Sequence, residues 1–203
     1  MKTAKITAWL AGMAILAVLA APRAEGGSMP EKEKATFAAG CFWGVEKFFH
    51  KAFPSTAITV GYTAGKTKNP SNEDVCTGRT GHAEAVEIEY DPQKVRYEDL
   101  LVMFWRMHDP TTPNQQGPDI GTQYRSGIYF HTPAQEAAAG RSKELLEKSG
   151  HFGAPITTEI AAAGPFYAAE DYHQDYLANN PFGYCSHHLE PEGEIGKILK
   201  QAR

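Results

Sequence analysis

The clearest pattern along the chain is an alternation. Ala83-Glu84-Ala85-Val86-Glu87-Ile88-Glu89-Tyr90 sets small or apolar residues against glutamates with period two, the signature of a strand with one buried face. Ala85, Glu87 and Glu89 share the polar side, so Glu84 points inward with Val86, Ile88 and Tyr90. A carboxylate on the inward side needs a reason. Upstream, Lys34 to Ala39 reads as a short strand. Val45 to Phe53 reads as a helix with Val45, Phe48, Phe49 and Ala52 on one stripe, stopped by Pro54. Thr56 to Tyr62 is rich in β-branched residues and reads as a strand running into the turn Gly61 to Gly65, followed by a long polar loop, Lys66 to Gly81. Beyond Asp91-Pro92, Tyr97 to Met107 is an amphipathic helix with Leu100, Leu101, Phe104 and Trp105 as its buried stripe. Asp109 to Gln123 is a second long loop and Tyr124 to His131 a strand. A long helix runs from Pro133 through Lys148 and ends at Gly150. Ile156 to Ala162 is a last strand, and Ala169 to Leu177 a short helix ended by Asn179-Asn180-Pro181.

The order β-α-β-β-α-β-α-β-α predicts an α+β fold. It suits a ferredoxin-like two-layer sandwich of the split β-α-β kind, with helices on one face of a mixed or antiparallel sheet. The long loops would carry the site, and the tail after Asn180 reads as irregular.

The N-terminus changes the picture of where this domain works. Lys2 and Lys5 precede an apolar run from Ile6 to Ala21, with small residues at Ala20, Ala21 and Ala24. This is a basic n-region, an h-region and a cleavage zone, and it predicts a secretory signal peptide over about residues 1–24. The cut could fall after Ala20, Ala21 or Ala24, and an uncleaved anchor is the rival reading. The run is short for a spanning helix of about 20 apolar residues. Export predicts a periplasmic or secreted protein with no stable membrane insertion after cleavage. Residues 25–33 read as a linker, and residues 34–203 as one catalytic domain. Removing residues 1–24 takes away Lys2, Lys5 and Arg23 and no acid, so the formal charge of −4 becomes −7. An acidic domain without a basic patch argues against nucleic-acid binding. No assembly stripe stands out, so a monomer is the default.

The candidate chemistry begins at Gly40-Cys41-Phe42-Trp43-Gly44. Cys41 falls at a strand-to-helix junction, where free backbone N–H groups and the helix dipole favour the thiolate. The plain alternative is a buried cysteine between core aromatics. Cys41, Cys76 and Cys185 all lie beyond the signal segment. An odd count in an exported protein points to a free or redox-active thiol, and an oxidising compartment demands a source of reducing electrons. Four further stretches join Cys41. They are Gly81-His82-Ala83-Glu84, the loop Gly117 to Ser126 with Asp119 and Tyr124, Glu170 to Tyr176 with His173 and Tyr176 at helical spacing, and Gly183-Tyr184-Cys185.

Together these stretches resemble one family, the peptide methionine sulfoxide reductases of the A type, over about Lys34 to Cys185. The resemblance implies thiol-dependent reduction of the S epimer of methionine sulfoxide, free or within proteins. It implies Cys41 as the nucleophile on the sulfoxide sulfur, with Phe42 and Trp43 cupping the methyl group. Glu84 would lend a proton to the sulfoxide oxygen, helped by the Tyr124 hydroxyl. Asp119, His173 and Tyr176 would hold the methionine backbone portion, and Cys185, with Tyr184 beside it, would be the resolving thiol. The implied Cys41–Cys185 disulfide would be reopened by an external dithiol, thioredoxin or a thioredoxin-like protein, with no bound cofactor and no metal. Chemistry supports the acid: a sulfoxide leaves its oxygen only once protonated, and a Glu with an ordinary pKa of about 4.3 holds a proton near neutrality only if buried or suitably hydrogen-bonded. A sulfenic acid left on Cys41 condenses readily with a nearby thiol. One departure stands out. Asn69-Pro70-Ser71-Asn72 places Asn72 where many members carry a tyrosine hydroxyl, and Cys76 matches a position that is usually not catalytic.

Two other readings compete. Cys185-Ser186-His187-His188 offers three ligands to a metal, but no second cluster completes a structural site. A general thiol–disulfide oxidoreductase usually carries Cys-x-x-Cys, which this chain lacks. No Gly-x-Gly-x-x-Gly turn follows a strand and no phosphate loop appears, so nucleotide and flavin sites are not expected.

Overall fold

A computed structural model describes residues 31–202. The predicted signal segment and residues 25–30 of the predicted linker lie outside the described residues. Strand β1 (Glu33–Ala39) opens the fold and takes in Glu33, assigned above to the linker. Gly40 follows with φ +96°, a conformation glycine adopts freely and other residues rarely do. It lets the chain turn at once into α1 (Phe42–Ala52). Next come β2 (Ala57–Thr63), α2 (Asn72–Cys76), β3 (Ala83–Tyr90), α3 (Tyr97–Arg106) and the small hairpin β4 (Gln115–Gln116) and β5 (Asp119–Ile120). The chain then forms β6 (Ser126–Phe130), α4 (Pro133–Ser149), β7 (Glu159–Ala162), β8 (Tyr167–Ala168), α5 (Tyr176–Asn179) and α6 (Gly193–Leu199).

Six strands form one mixed sheet in the order β7-β6-β1-β3-β2-β8. At its centre β1 and β2, joined through α1, lie on either side of β3, all antiparallel neighbours, while β7 joins β6 in parallel. The α+β architecture is as expected, and the strands β7 and β8 widen the sheet at its two edges.

The core sits between the sheet and helices α1, α3, α4 and α6. Phe37 on β1 is its hub. It stacks on Phe49 of α1 at 5.5 Å and on Tyr97 and Phe104 of α3 at 6.0 and 5.3 Å between ring centres. On β3, Glu84, Val86, Ile88 and Tyr90 are buried as the alternation requires. Ala83 and Ala85 are buried too, with Ala38 and Tyr129, under Ala163 and Phe166. The first half of β3 is therefore covered on both faces, and only Glu87 and Glu89 are half-exposed.

Several local expectations are corrected. The buried stripe of α1 is Phe42, Val45, Glu46 and Phe49. Phe48 is half-buried and Ala52 exposed, because the helix begins at Phe42 and its inner face is turned accordingly. The polar loop after β2 contains α2, started by a capping box between Ser71 and Asp74 and pinned by buried Val75. Helix α3 buries Val102 and Met103 as well as the predicted stripe, because α4 and α6 cover its other sides. The stretch 169–177 is not one helix. A 3-10 turn (Asp171–His173) and α5 are separated by Asp175 at φ +53°. The break is held from outside: the Gln174 side-chain amide bonds both backbone groups of Val60 on β2, and the Asp175 N–H bonds Glu46 on α1. The tail is irregular only as far as Glu192; α6 then buries Ile195 and Leu199. Helix α4 follows expectation, with Thr132 capping it, Pro133 in its first turn and Gly150 left-handed at its end. No helix among the described residues is long and apolar enough to cross a membrane.

Candidate active site

The site forms where β1 hands over to α1. Cys41 is the residue before α1, 8% exposed, and its carbonyl accepts the Gly44 N–H at 3.2 Å. In the antiparallel register Phe37 pairs with Val86, so the end of β1 and the start of β3 lie together. That brings Glu84 beside the Cys41 turn. Its Oε2 accepts the backbone N–H of Phe42 at 3.0 Å, and the residue is 4% exposed. Burial pushes the Glu84 carboxyl up to about 8, against the lowering effect of the Phe42 N–H. Near neutral pH it therefore holds its proton.

The expectation of a thiolate at Cys41 is overturned. Backbone N–H groups of Trp43 and Gly44 do lower its proton affinity, as a helix N-terminus should. Burial outweighs them, with the nearby Glu84 adding to it, and the thiol is held well above its ordinary value. Removing a charged sulfur from water costs more than the helix end returns. At rest Cys41 is therefore a protonated thiol.

Around this pair stands an aromatic wall. Trp43 stacks on Tyr176, with ring centres 3.8 Å apart and planes at 16°. The Trp43 Nε1–H donates to His173 Nδ1 at 3.0 Å, so the proton of a neutral His173 lies on Nε2, which faces Glu170 Oε2 at 3.9 Å. Burial lowers the His173 pKa and favours that neutral form. Phe42 is almost fully buried against Tyr62 and His173, whereas Trp43 stays half-buried. The His173 and Tyr176 pair thus meets Trp43 without being on one helix. Tyr124, at the end of a 3-10 turn before β6, is half-buried, and its hydroxyl is raised by burial first and then by Glu84. That places it within electrostatic reach of Glu84, Cys76, Asp119 and Cys41.

Asp119 does something the sequence did not suggest. Its carboxylate accepts the Tyr184 hydroxyl at 3.0 Å and Ser186 Oγ at 2.8 Å. It clasps the tail on both sides of Cys185, which is half-buried; Cys41, Cys76 and Cys185 are all free thiols. Cys76 is exposed, with its sulfur 3.7 Å from Asn72 Oδ1. His187, considered above as a metal ligand, is instead buried and bonded to the backbone carbonyl of Ala39.

Three contributors were missed. Tyr62 pairs with Glu84 across β2 and β3, and its hydroxyl donates to Glu170 Oε2 at 3.0 Å. Glu170 also accepts the Asn72 N–H at 2.8 Å. Glu46 on α1 is buried, accepts the Asp175 N–H at 3.0 Å, and is pushed up to about 7 mainly by that burial. It fixes the turn that presents Tyr176 to Trp43. The polar position inside the α1 stripe was the one signal that could have flagged it.

Comparison with known proteins agrees with this geometry. The family model described as peptide methionine sulfoxide reductase matches residues 33–201. The peptide methionine sulfoxide reductase MsrA of Methanoculleus marisnigri is 56% identical over 158 residues, 77% of this chain and 96% of that protein. The MsrA of Geobacter metallireducens is 54% identical over 157 residues, 77% and 97% of the two chains. Among solved structures, reduced Mxr1 of Saccharomyces cerevisiae superposes with a TM-score of 0.74 at 38% identity, covering 79% of this chain and 93% of that one. Mxr1 in complex with Trx2 gives 0.54 at 28% identity, covering 79% and 91%.

A titration tests the electrostatics. In a Cys76→Ser, Cys185→Ser background, the pH dependence of Cys41 alkylation is expected to show a midpoint above the ordinary thiol value of about 8.5. Glu84→Gln is expected to bring it part of the way down, since burial remains. A midpoint below 8.5 in the parent would show that the helix end prevails over burial.

Proposed function

The chain belongs to the peptide methionine sulfoxide reductase family, and on that premise we propose how its residues divide the reaction. The activity is thiol-dependent reduction of methionine sulfoxide to methionine. The observation that carries the assignment is the buried Glu84 carboxyl bonded to the N–H of the residue next to Cys41. One group supplies the nucleophile and its neighbour supplies the acid.

Cys41 Sγ attacks the sulfoxide sulfur while Glu84 passes its proton to the oxygen. The S–O bond breaks as the oxygen moves to Cys41. Methionine leaves, Cys41 becomes a sulfenic acid, and the thiol proton restores Glu84. Tyr124 stands ready as a second donor to the oxygen. Trp43, held by His173 and Tyr176, forms the wall against which the methyl group rests. Cys185 then displaces water from the sulfenic acid, giving the Cys41–Cys185 disulfide. A thioredoxin-like dithiol reopens it by exchange; the complex of Mxr1 with Trx2 supports that class of reductant. The leader-like run Lys2 to Ala24 supports a role in repairing oxidised methionine in exported proteins, with the cleaved chain working as a soluble monomer.

Purified residues 25–203 with dithiothreitol should consume the S epimer of a protected methionine sulfoxide and leave the R epimer. Cys41→Ser should abolish the loss. Turnover of both epimers, or turnover surviving in Cys41→Ser, would overturn the assignment.

The acid also sets a pH profile. Glu84 ionises as pH rises through about 8, after which it can neither donate nor tolerate a neighbouring thiolate. Single-turnover methionine formation should therefore fall on the alkaline side with an apparent pKa near 8. Glu84→Gln should lower the rate by roughly 10²–10³ and flatten that limb. An unchanged limb would assign it elsewhere.

Asn72 gives a third test. It sits half-buried at the start of α2, its N–H on Glu170. Asn72→Tyr restores the hydroxyl that many relatives carry and should speed the chemical step several-fold. An unchanged single-turnover rate would show that Glu84 and Tyr124 already suffice.

A further inference from the structure

The tail that carries Cys185 is held at two places of different character. The outer hold is the Asp119 carboxylate on Tyr184 and Ser186, and Tyr184 remains 48% exposed. The inner hold is His187, which is 5% exposed, with its Nε2 2.7 Å from the carbonyl oxygen of Ala39. Nε2 faces an acceptor and therefore carries the proton. The other nitrogen, Nδ1, has no hydrogen-bond partner. Burial lowers the ring's proton affinity, so it is neutral.

The ring occupies space that two glycines leave open around Cys41. A Cβ on Gly44 would come within 2.3 Å of His187 Nδ1, and one on Gly40 within 3.3 Å of Nε2. Gly44 lies in the first turn of α1 and Gly40 in the turn from β1, so His187 is packed against the backbone on both sides of the nucleophile. Nothing assigned so far to the reaction explains why a tail histidine should be there.

We propose that His187 is a positioning residue for disulfide formation. It anchors the tail to the Cys41 turn, so that Cys185 stays within reach of the Cys41 sulfenic acid. This rests on the reading of Cys185 as the resolving thiol. The argument is one of reach. Two peptide units separate Cys185 from His187, so their Cα atoms stay within about 7 Å however the segment turns. The outer clasp must open for Cys185 to rotate inward, because Tyr184 and Ser186 flank it directly. The inner anchor can stay closed throughout. Without it the Gly183 N–H upstream stays on the Asn180 carbonyl at 2.8 Å, but downstream the next backbone hydrogen bond is then the Glu190 N–H on the Arg106 carbonyl at 2.9 Å. The downstream tether lengthens from two residues to five, and the local concentration of the Cys185 thiol at Cys41 falls. In the step itself the Cys185 sulfur bonds to the Cys41 sulfur, the S–O bond of the sulfenic acid breaks, and the hydroxyl leaves as water with the thiol proton. No other reagent is consumed.

The experiment mixes reduced enzyme with excess methionine sulfoxide in the absence of reductant. It follows methionine release, thiol loss and trapping of the Cys41 sulfenic acid by dimedone. His187→Ala is expected to release its first equivalent of methionine, form the disulfide roughly fourfold more slowly, and give more dimedone adduct. His187→Asn, whose amide is too short to reach Ala39, should behave like His187→Ala and covers the case in which the alanine variant does not fold. His187→Gln places an amide nitrogen close to Nε2 and should recover most of the rate. Cys185→Ser separates the two ideas. If it still forms an intramolecular disulfide, the resolving role of Cys185 is wrong. If it forms none while both His187→Ala and His187→Asn close at the wild-type rate, the anchor is wrong. Equal slowing of methionine release and disulfide formation in the His187 variants would also overturn the anchor, since it would mark general damage near Cys41.

Discussion

The structure depends on one hydrogen bond, from the backbone N–H of Phe42 to the Glu84 carboxyl. It spans the first residue of α1 and the second residue of β3, so it ties the helix start to the sheet. It also satisfies the buried acid without ionising it. A carboxyl in this position has two environments working against each other: burial favours the neutral form and the N–H favours the charged one. Burial prevails because a single amide dipole returns less than the hydration lost. The consequence for stability follows the same sign. The folded value of about 8 lies above the ordinary carboxyl value, so burying Glu84 costs least at low pH, and the cost grows as pH rises toward 8.

Helix α1 organises what surrounds that bond. Four of its side chains do different things within two turns. Phe42 seals the floor, Trp43 forms the wall, Glu46 catches the backbone of Asp175, and Phe49 stacks on Phe37 in the core. The wall is therefore not a loop resting on a helix. It is fixed through Trp43 to His173 and through Glu46 to the strained turn at Asp175, a left-handed conformation that the surrounding contacts must hold. Rigid aromatic positioning beside a buried thiol suits the apolar methyl end of the substrate, which offers no hydrogen bond to orient it, while the strongly polar S–O bond is left to the acid.

Much of this was legible in the sequence, and the limits have physical causes. The period-two pattern of 83–90 gave the strand, its face and the inward Glu84 correctly, because alternation reports burial directly. The terminators of α4, Pro133 and Gly150, gave its length. The aromatics beside Cys41 marked the turn around which Trp43, His173 and Tyr176 gather. What failed were features decided by contacts distant in sequence. Asp175 breaks the 169–177 helix because Glu46, 129 residues away, holds its N–H. The second buried face of β3 comes from Ala163 and Phe166. The hold of Asp119 on the tail, through the hydroxyls of Tyr184 and Ser186, is likewise a long-range contact that spacing does not show. The thiolate expected at Cys41 failed differently: the helix end is there, but its effect is one of several, and sequence spacing does not reveal how deeply the sulfur is buried.

A protonated resting thiol looks like a handicap for the proposed nucleophile, yet the proton count of the step removes the difficulty. Converting a thiol and a sulfoxide into a sulfenic acid and a thioether neither takes up nor releases a proton. In the proposed step Glu84 gives one to the departing oxygen, and the thiol loses one as its sulfur bonds. A carboxylate generated at that moment lies beside the thiol, buried, and with a raised affinity for protons. It is the natural receiver. The proton affinity of the sulfur collapses as its lone pair is committed to the new bond, so the transfer is downhill only when attack is under way. On the proposed division of roles, burial holds Cys41 as a thiol at rest, and its proton is lost in step with transfer from Glu84 to the sulfoxide oxygen. On that reading, the burial that outweighs the helix end in the free enzyme favours attack on a substrate able to take that proton.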